Sequence, residues 1–100
     1  MRVCIATRDL LFRAKLEGAV RAAGGEPTRD DTACELVILN AETPGAVERI
    51  RGFVSRGIPV IAYGSHVNVD LLRAAREAGA TAVPNSQAER AVASALATAP

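Results

Sequence analysis

Glu35-Leu36-Val37-Ile38-Leu39-Asn40, followed within a few residues by Thr43-Pro44-Gly45, is the stretch that decides the fold. An unbroken aliphatic run of this length, with no polar residue alternating through it, suits a strand covered on both faces, which is the situation of a parallel sheet. Thr43 and Pro44 then read as the N-cap and first residue of a helix. A strand that ends in one polar residue and leads into a helix places that residue at the carboxyl edge of the sheet, where open α/β folds hold their ligands. Asn40 stands at that edge with a neutral amide, a group that donates and accepts hydrogen bonds but carries no charge.

Working outward, short apolar runs alternate with helical patterns along the whole chain, as in an α/β fold. Arg2 to Ala6 is the first strand, and Asp9 is a cap for a helix reaching Gly24-Gly25. Phe12, Leu16, Ala19, Val20 and Ala23 form the face of that helix turned to the sheet. Glu26-Pro27-Thr28-Arg29 is a weak strand whose proline fits an edge position. Asp31-Thr32-Ala33-Cys34 leaves room for a turn of helix at most. Val47, Ile50 and Val54 give the helix after Asn40 its buried stripe, and Gly57 ends it. Ile58 to Tyr63 is the fourth strand. A helix from about Val69 to Ala78 follows, closed by Gly79. Ala80 to Val83 is the last strand, and Ser86-Gln87-Ala88-Glu89 reads as a capping box for a terminal helix with Ala88, Ala91, Val92, Ala95 and Leu96 inward. Right-handed crossovers then imply a doubly wound, flavodoxin-like five-stranded parallel sheet in the order 2-1-3-4-5, with the second helix shortened or missing.

Composition narrows the function classes. One hundred residues, 49% hydrophobic and 23% charged, make a single folded domain over residues 1–100. A formal charge of +1 gives no field strong enough to imply nucleic acid or an anionic membrane as partner. No apolar run approaches the roughly 18 residues of a membrane span, and no signal peptide opens the chain, so a cytoplasmic protein is expected. Cys4 and Cys34 lie at no metal-ligand spacing and read as buried thiols. Eleven arginines against a single lysine, Lys15, leave little scope for lysine chemistry.

The order and spacing of several segments resemble the receiver domain of two-component response regulators over nearly the whole chain. Asp9-Leu10-Leu11-Phe12-Arg13 is similar to the start of a receiver's first helix, Thr43-Pro44-Gly45 to the loop after its phosphoacceptor, and Ile58-Pro59-Val60-Ile61-Ala62 to its fourth strand. Leu71-Leu72-Arg73-Ala74-Ala75-Arg76-Glu77-Ala78-Gly79-Ala80 is the most specific match. The resemblance implies a pocket of an acidic pair for Mg²⁺, an acceptor Asp, a Ser/Thr hydroxyl and a Lys, each with an electrostatic task in phosphoryl transfer. Here the acidic pair maps to Thr7 and Arg8 and the acceptor to Asn40. The hydroxyl position falls on Gly64, with Ser65 next to it. The lysine position falls on Asn85 if one residue is deleted before Pro84, or on Ser86 by direct count. The residue that often switches on the last strand is Val83, not an aromatic. With Asp9 the one carboxylate nearby, no metal site and no cofactor are expected.

Arg8 has two readings. One is a solvated arginine, or one paired with Asp9 or Glu42. The other is an anion site for phosphate, a nucleotide or a carboxylate, formed by Arg8 with Thr7, Asn40, Ser65 and Asn85 at the carboxyl edge. His66, the one histidine, lacks an orienting acid and nucleophile in a working arrangement and reads as a surface residue beside an Asn68 cap. Cys4 resembles the nucleophile of sugar-uptake phosphotransfer domains only in being on the first strand. It lies inside the strand, where a thiol is unreactive. No Gly-rich phosphate loop is present.

The residues thus point to a stand-alone pseudo-receiver: not an enzyme, but a module that binds another protein, including a second copy of itself. With Pro100 as the last residue, no output domain is expected. The receiver resemblance implies a working face of fourth helix, fifth strand and fifth helix, here residues 69–78, 80–83 and 87–98. On the terminal helix Ala93, Ser94 and Ala97 make a small, nearly uncharged outer face, which suits either close helix packing or plain helix propensity.

Overall fold

The computed structural model describes residues 1–98. Its elements follow the order β1 (Arg2–Ala6), α1 (Leu10–Ala22), β2 (Glu26–Thr28), β3 (Leu36–Asn40), α2 (Ala46–Ser55), β4 (Val60–Gly64), α3 (Val69–Glu77), β5 (Thr81–Pro84), a 3₁₀ turn (Asn85–Gln87) and α4 (Ala88–Ala97). All strand pairs are parallel, in the order β2-β1-β3-β4-β5. Among the described residues no helix is long and apolar enough to cross a membrane.

Side-chain alternation along the strands divides the core into two layers, which is why the strands read as continuous apolar runs rather than alternating ones. Val3, Ile5, Leu36, Ile38, Ile61 and Tyr63 pack with Leu16 and Val20 of α1 and Ala88 and Val92 of α4. Cys4, Val37, Leu39, Val60, Ala62 and Ala82 face the other way, onto Ile50 and Phe53 of α2 and Leu72 and Ala75 of α3. Phe12 reaches over the end of the first layer and stacks on Tyr63, with ring centroids 4.6 Å apart.

The connection from β2 to β3 is the distinctive part of the fold. A parallel crossover normally needs a dozen residues or more, commonly with a helix; here residues 29–35 suffice, and they contain turns but no helix. Strand register explains the economy. β2 stops level with Cys4, where Thr28 pairs, and β3 begins level with Val3, where Leu36 pairs. The chain therefore only steps over β1, about two strand spacings of ~4.8 Å, with almost no return along the sheet. As a result, the α2/α3 face has two helices for its three crossovers, and β1 beyond Cys4 is left without a neighbour on its β2 side.

Local details depart from the sequence reading in four places. Thr43 and Pro44 do not open α2; they belong to a turn, Gly45 takes the N-cap position at φ 80°, and the helix starts at Ala46. Ala46, Ile50 and Phe53 then line up on the buried side, so Phe53 rather than Val54 completes the stripe, and Val54 is 39% exposed. Ala23, expected inward, is the exposed C-cap residue of α1. Ser86 and Glu89 form no capping box, because Ser86 lies within the 3₁₀ turn and α4 starts at Ala88 without a side-chain cap. Asp9 does cap α1, accepting the Phe12 N–H at 3.0 Å, an arrangement worth about 1 kcal/mol.

Candidate functional site

The carboxyl ends of β1, β3, β4 and β5 bring their terminal residues to one edge, and each residue there is committed in a way that can be followed from its side chain. Asn40 ends β3 partly buried, and its Oδ1 accepts the backbone N–H of Glu42 at 2.9 Å. This is the local turn that short polar side chains favour, and it directs the amide oxygen toward its own loop. Thr7 is buried, 8% exposed, and its hydroxyl accepts the Asp9 N–H at 3.2 Å, so it belongs to the entry into α1. Arg8 is exposed and makes no ion pair with Asp9 or Glu42 among the described residues.

Glu42, on the loop after β3, takes the central position at this edge. Its Oε1 accepts the Ser65 N–H at 3.1 Å and a further hydrogen bond from Asn68 Nδ2. Asn68, at the N-cap position of α3, thus spends its side chain on Glu42 instead of on the helix. One carboxylate ties the β3–α2 loop to the β4–α3 loop. A Cβ at Gly64 would lie 3.7 Å from Glu42 Cγ, in ordinary van der Waals contact with that side chain. Sequence reading missed this role, because it depends on side-chain reach across some 23 residues.

The five residues considered for an anion site do not line one cavity. Arg8 borders two clefts. One holds Asp9, Asn40, Glu42, Thr43 and Pro44, with two carboxylates. The other, lined by Thr7 and further arginines, lies over β1. Ser65 and Asn85 line neither. Asn85 is exposed in the 3₁₀ turn, and His66 is exposed on the loop before α3. Among the described residues no group of three or more His, Cys, Asp or Glu side chains could hold a metal ion.

Two buried groups beside the edge carry shifted ionisation. Burial pushes the Cys4 thiol up to about 11, with Cys34 and Asp31 adding to the shift and Arg49 and Arg13 opposing it. A thiol held in that state is a poor nucleophile. Burial likewise raises the Tyr63 phenol above its ordinary value, with Asp9 adding to the shift and Arg13 opposing it. Among the described residues Tyr63 Oη and Arg13 Nη1 are both buried and without a hydrogen-bond partner, while Arg13 Nη2 donates to the Thr7 carbonyl at 2.7 Å.

Comparison with known proteins bears on the fold. No family model and no curated protein matches the sequence. Solved structures of response regulators do match. A response regulator receiver protein from Burkholderia phymatum superposes with a TM-score of 0.74 at 20% identity, covering 98% of this chain and 96% of its own. A response regulator from Thermotoga maritima gives 0.75 at 14% identity over 97% and 98% of the two chains. An orphan response regulator of H. pylori gives 0.69 at 15% identity over 97% and 91%. The chain therefore has the receiver fold, at an identity that speaks to fold alone.

Proposed function

We propose that this chain is a signalling module of receiver fold that is not phosphorylated and works by docking another protein, a second copy of itself being the first candidate. The observation that carries the proposal is the arrangement around Asn40. The acceptor position is an amide whose oxygen accepts its own loop's N–H, the acidic pair is replaced by a buried threonine and an exposed arginine, and Glu42 already bridges the two flanking loops. A phosphoryl group would meet no nucleophile and no metal-binding carboxylate pair. The neighbouring structures are described as response regulators, which supports a role in signal transduction.

The docking face is α3, β5 and α4. Ala93, Ser94 and Ala97 are all exposed on α4. Ser94 also lines a groove of about 410 Å³ between α4 and the β5 edge, together with Ile61, Thr81, Val83, Gln87, Arg90, Ala91 and Ala95. β5 is an edge strand, and a shallow apolar groove next to it offers area that a partner helix can bury. The test is Ala97→Glu, which is solvated in a free helix but places an unpaired charge in a packed interface. It should leave the melting temperature nearly unchanged while weakening self-association in light scattering or capture of partners in pull-downs. Assembly that survives Ala97→Glu but is lost on Arg8→Ala would place the working surface at the strand ends instead.

A further inference from the structure

The absent crossover helix leaves a cavity of about 300 Å³ over β1, and its lining is strongly basic. The strand residues Cys4, Ile5 and Ala6 and the loop residue Thr7 supply its inner wall. Arg8 and Arg13 come from the β1–α1 region, Arg29 and Asp31 from the shortened crossover, Thr43 from the turn before α2 and Arg49 from its first turn. Four guanidinium groups from separate parts of the chain thus border one space against a single carboxylate. Asp31 Oδ2 lies 3.9 Å from Arg49, a loose contact between half-exposed side chains. Arg8, Arg13 and Arg29 make no ion pair among the described residues. Arg13 also keeps Nη1 buried and, among the described residues, without a hydrogen-bond partner. Like charges gathered from remote positions repel, and the contacts that offset this are few: Arg13 Nη2 donates to the Thr7 carbonyl, and Arg49 stands 5.9 Å from the Phe53 ring centroid besides its loose contact with Asp31. Guanidinium groups are suited to phosphate oxygens, which they bind through paired N–H donors.

The geometry points to a binding site for a small phosphate compound bearing more than one phosphoryl group, held by Arg8, Arg13, Arg29 and Arg49 in the space the missing helix leaves open. Asn40 and the carboxylates of Asp9 and Glu42 border the neighbouring cleft and not this one, and the site is independent of the docking surface proposed above. Its volume is at the lower end of the range for small-molecule sites, larger than one phosphate ion needs, which favours a diphosphate group over a single phosphate. The unpaired outer edge of β1 beyond Cys4 places backbone groups at the same wall.

Sodium pyrophosphate and inorganic phosphate, titrated calorimetrically at constant ionic strength into the full chain, test this directly. Pyrophosphate should bind one to one with a submillimolar constant and about tenfold more tightly than phosphate. Arg29→Gln, on an exposed loop that carries no core packing, should weaken it about tenfold, and Arg49→Gln similarly. Arg51→Gln, on α2 but outside the cavity, should leave it unchanged. Amide resonances of Thr7, Arg8 and Arg29 should shift together on titration. No pyrophosphate binding below millimolar concentration overturns the proposal, as does an equal loss from Arg51→Gln and Arg29→Gln, which would mean general attraction to a basic surface.

Discussion

Asn40 illustrates how much one side chain can decide. The strand pattern places it at the sheet edge, and its amide chemistry excludes a nucleophile there. Its hydrogen bond to the Glu42 N–H adds that the amide is part of the loop's architecture. Asn40→Asp should therefore remain unmodified by acetyl phosphate in the presence of Mg²⁺, as read by mass spectrometry. The neighbouring carboxylates are already engaged, Asp9 in capping α1 and Glu42 in bridging Ser65 and Asn68, so no acidic pair is free to bring a metal ion. Glu42→Ala should cost about 1 kcal/mol, a fall in melting temperature of roughly 4–8 °C for a domain of this size. A variant that melts like wild type would show that the bridge between loops adds nothing. Cys4 offers a third check. Its folded-state ionisation lies at about 11 against an ordinary 9.0, so the folded chain holds this proton more tightly than the unfolded one. The corresponding stability is fully present below about pH 9 and declines as pH rises toward about 11. Thiol alkylation of the folded protein should be slow through neutral pH, with Cys4 reacting only as the chain unfolds. Thr7, Arg8 and Asn40 can be placed from sequence because strand ends announce themselves. The roles of Glu42 and Arg13 cannot, since both depend on where a long side chain comes to rest.

Elements are legible in the sequence where apolar periodicity is strong and ambiguous where a turn competes with a helix. Leu36 to Leu39 and Val60 to Tyr63 are plain, because burial on both faces leaves continuous aliphatic runs. The entry into α2 is misplaced by the local pattern because Thr43-Pro44 suits a helix start as well as it suits the turn that Gly45, in the left-handed region, completes. That shift moves the buried stripe from Val54 to Phe53. Val54 instead meets Gly79, where a Cβ would lie 3.1 Å from Val54 Cγ2 and the backbone sits at φ 109°. Gly79→Ala should thus destabilise by about 1–2 kcal/mol through backbone strain and crowding, measured as a lower denaturant midpoint with unchanged slope. Little or no shift would mean that the loop after α3 relaxes freely. The shortened crossover is evident in the scarcity of residues between Thr28 and Leu36. The register that permits it, and the basic cavity it opens, follow from three-dimensional pairing that no local pattern carries.

Taken as a whole, the molecule has the receiver fold, one sheet with helices packed on both faces, at 14–20% identity to the structures it matches here. Architecture survives because it is specified by apolar spacing and helix ends, which many sequences satisfy, whereas phosphotransfer needs particular atoms at particular strand ends. On the proposed reading those positions are held here by Thr7, Arg8, Asn40 and Gly64, with Glu42 reaching across the edge. The central claim is that the fold is retained without its phosphorylation chemistry. It is tested most directly by intact-mass spectrometry of the wild-type chain after incubation with acetyl phosphate and Mg²⁺, alongside an active receiver as positive control. The control should gain a phosphoryl adduct while this chain keeps its mass. A hydroxylamine-labile phosphoryl adduct on this chain, formed under the same conditions, would contradict the account.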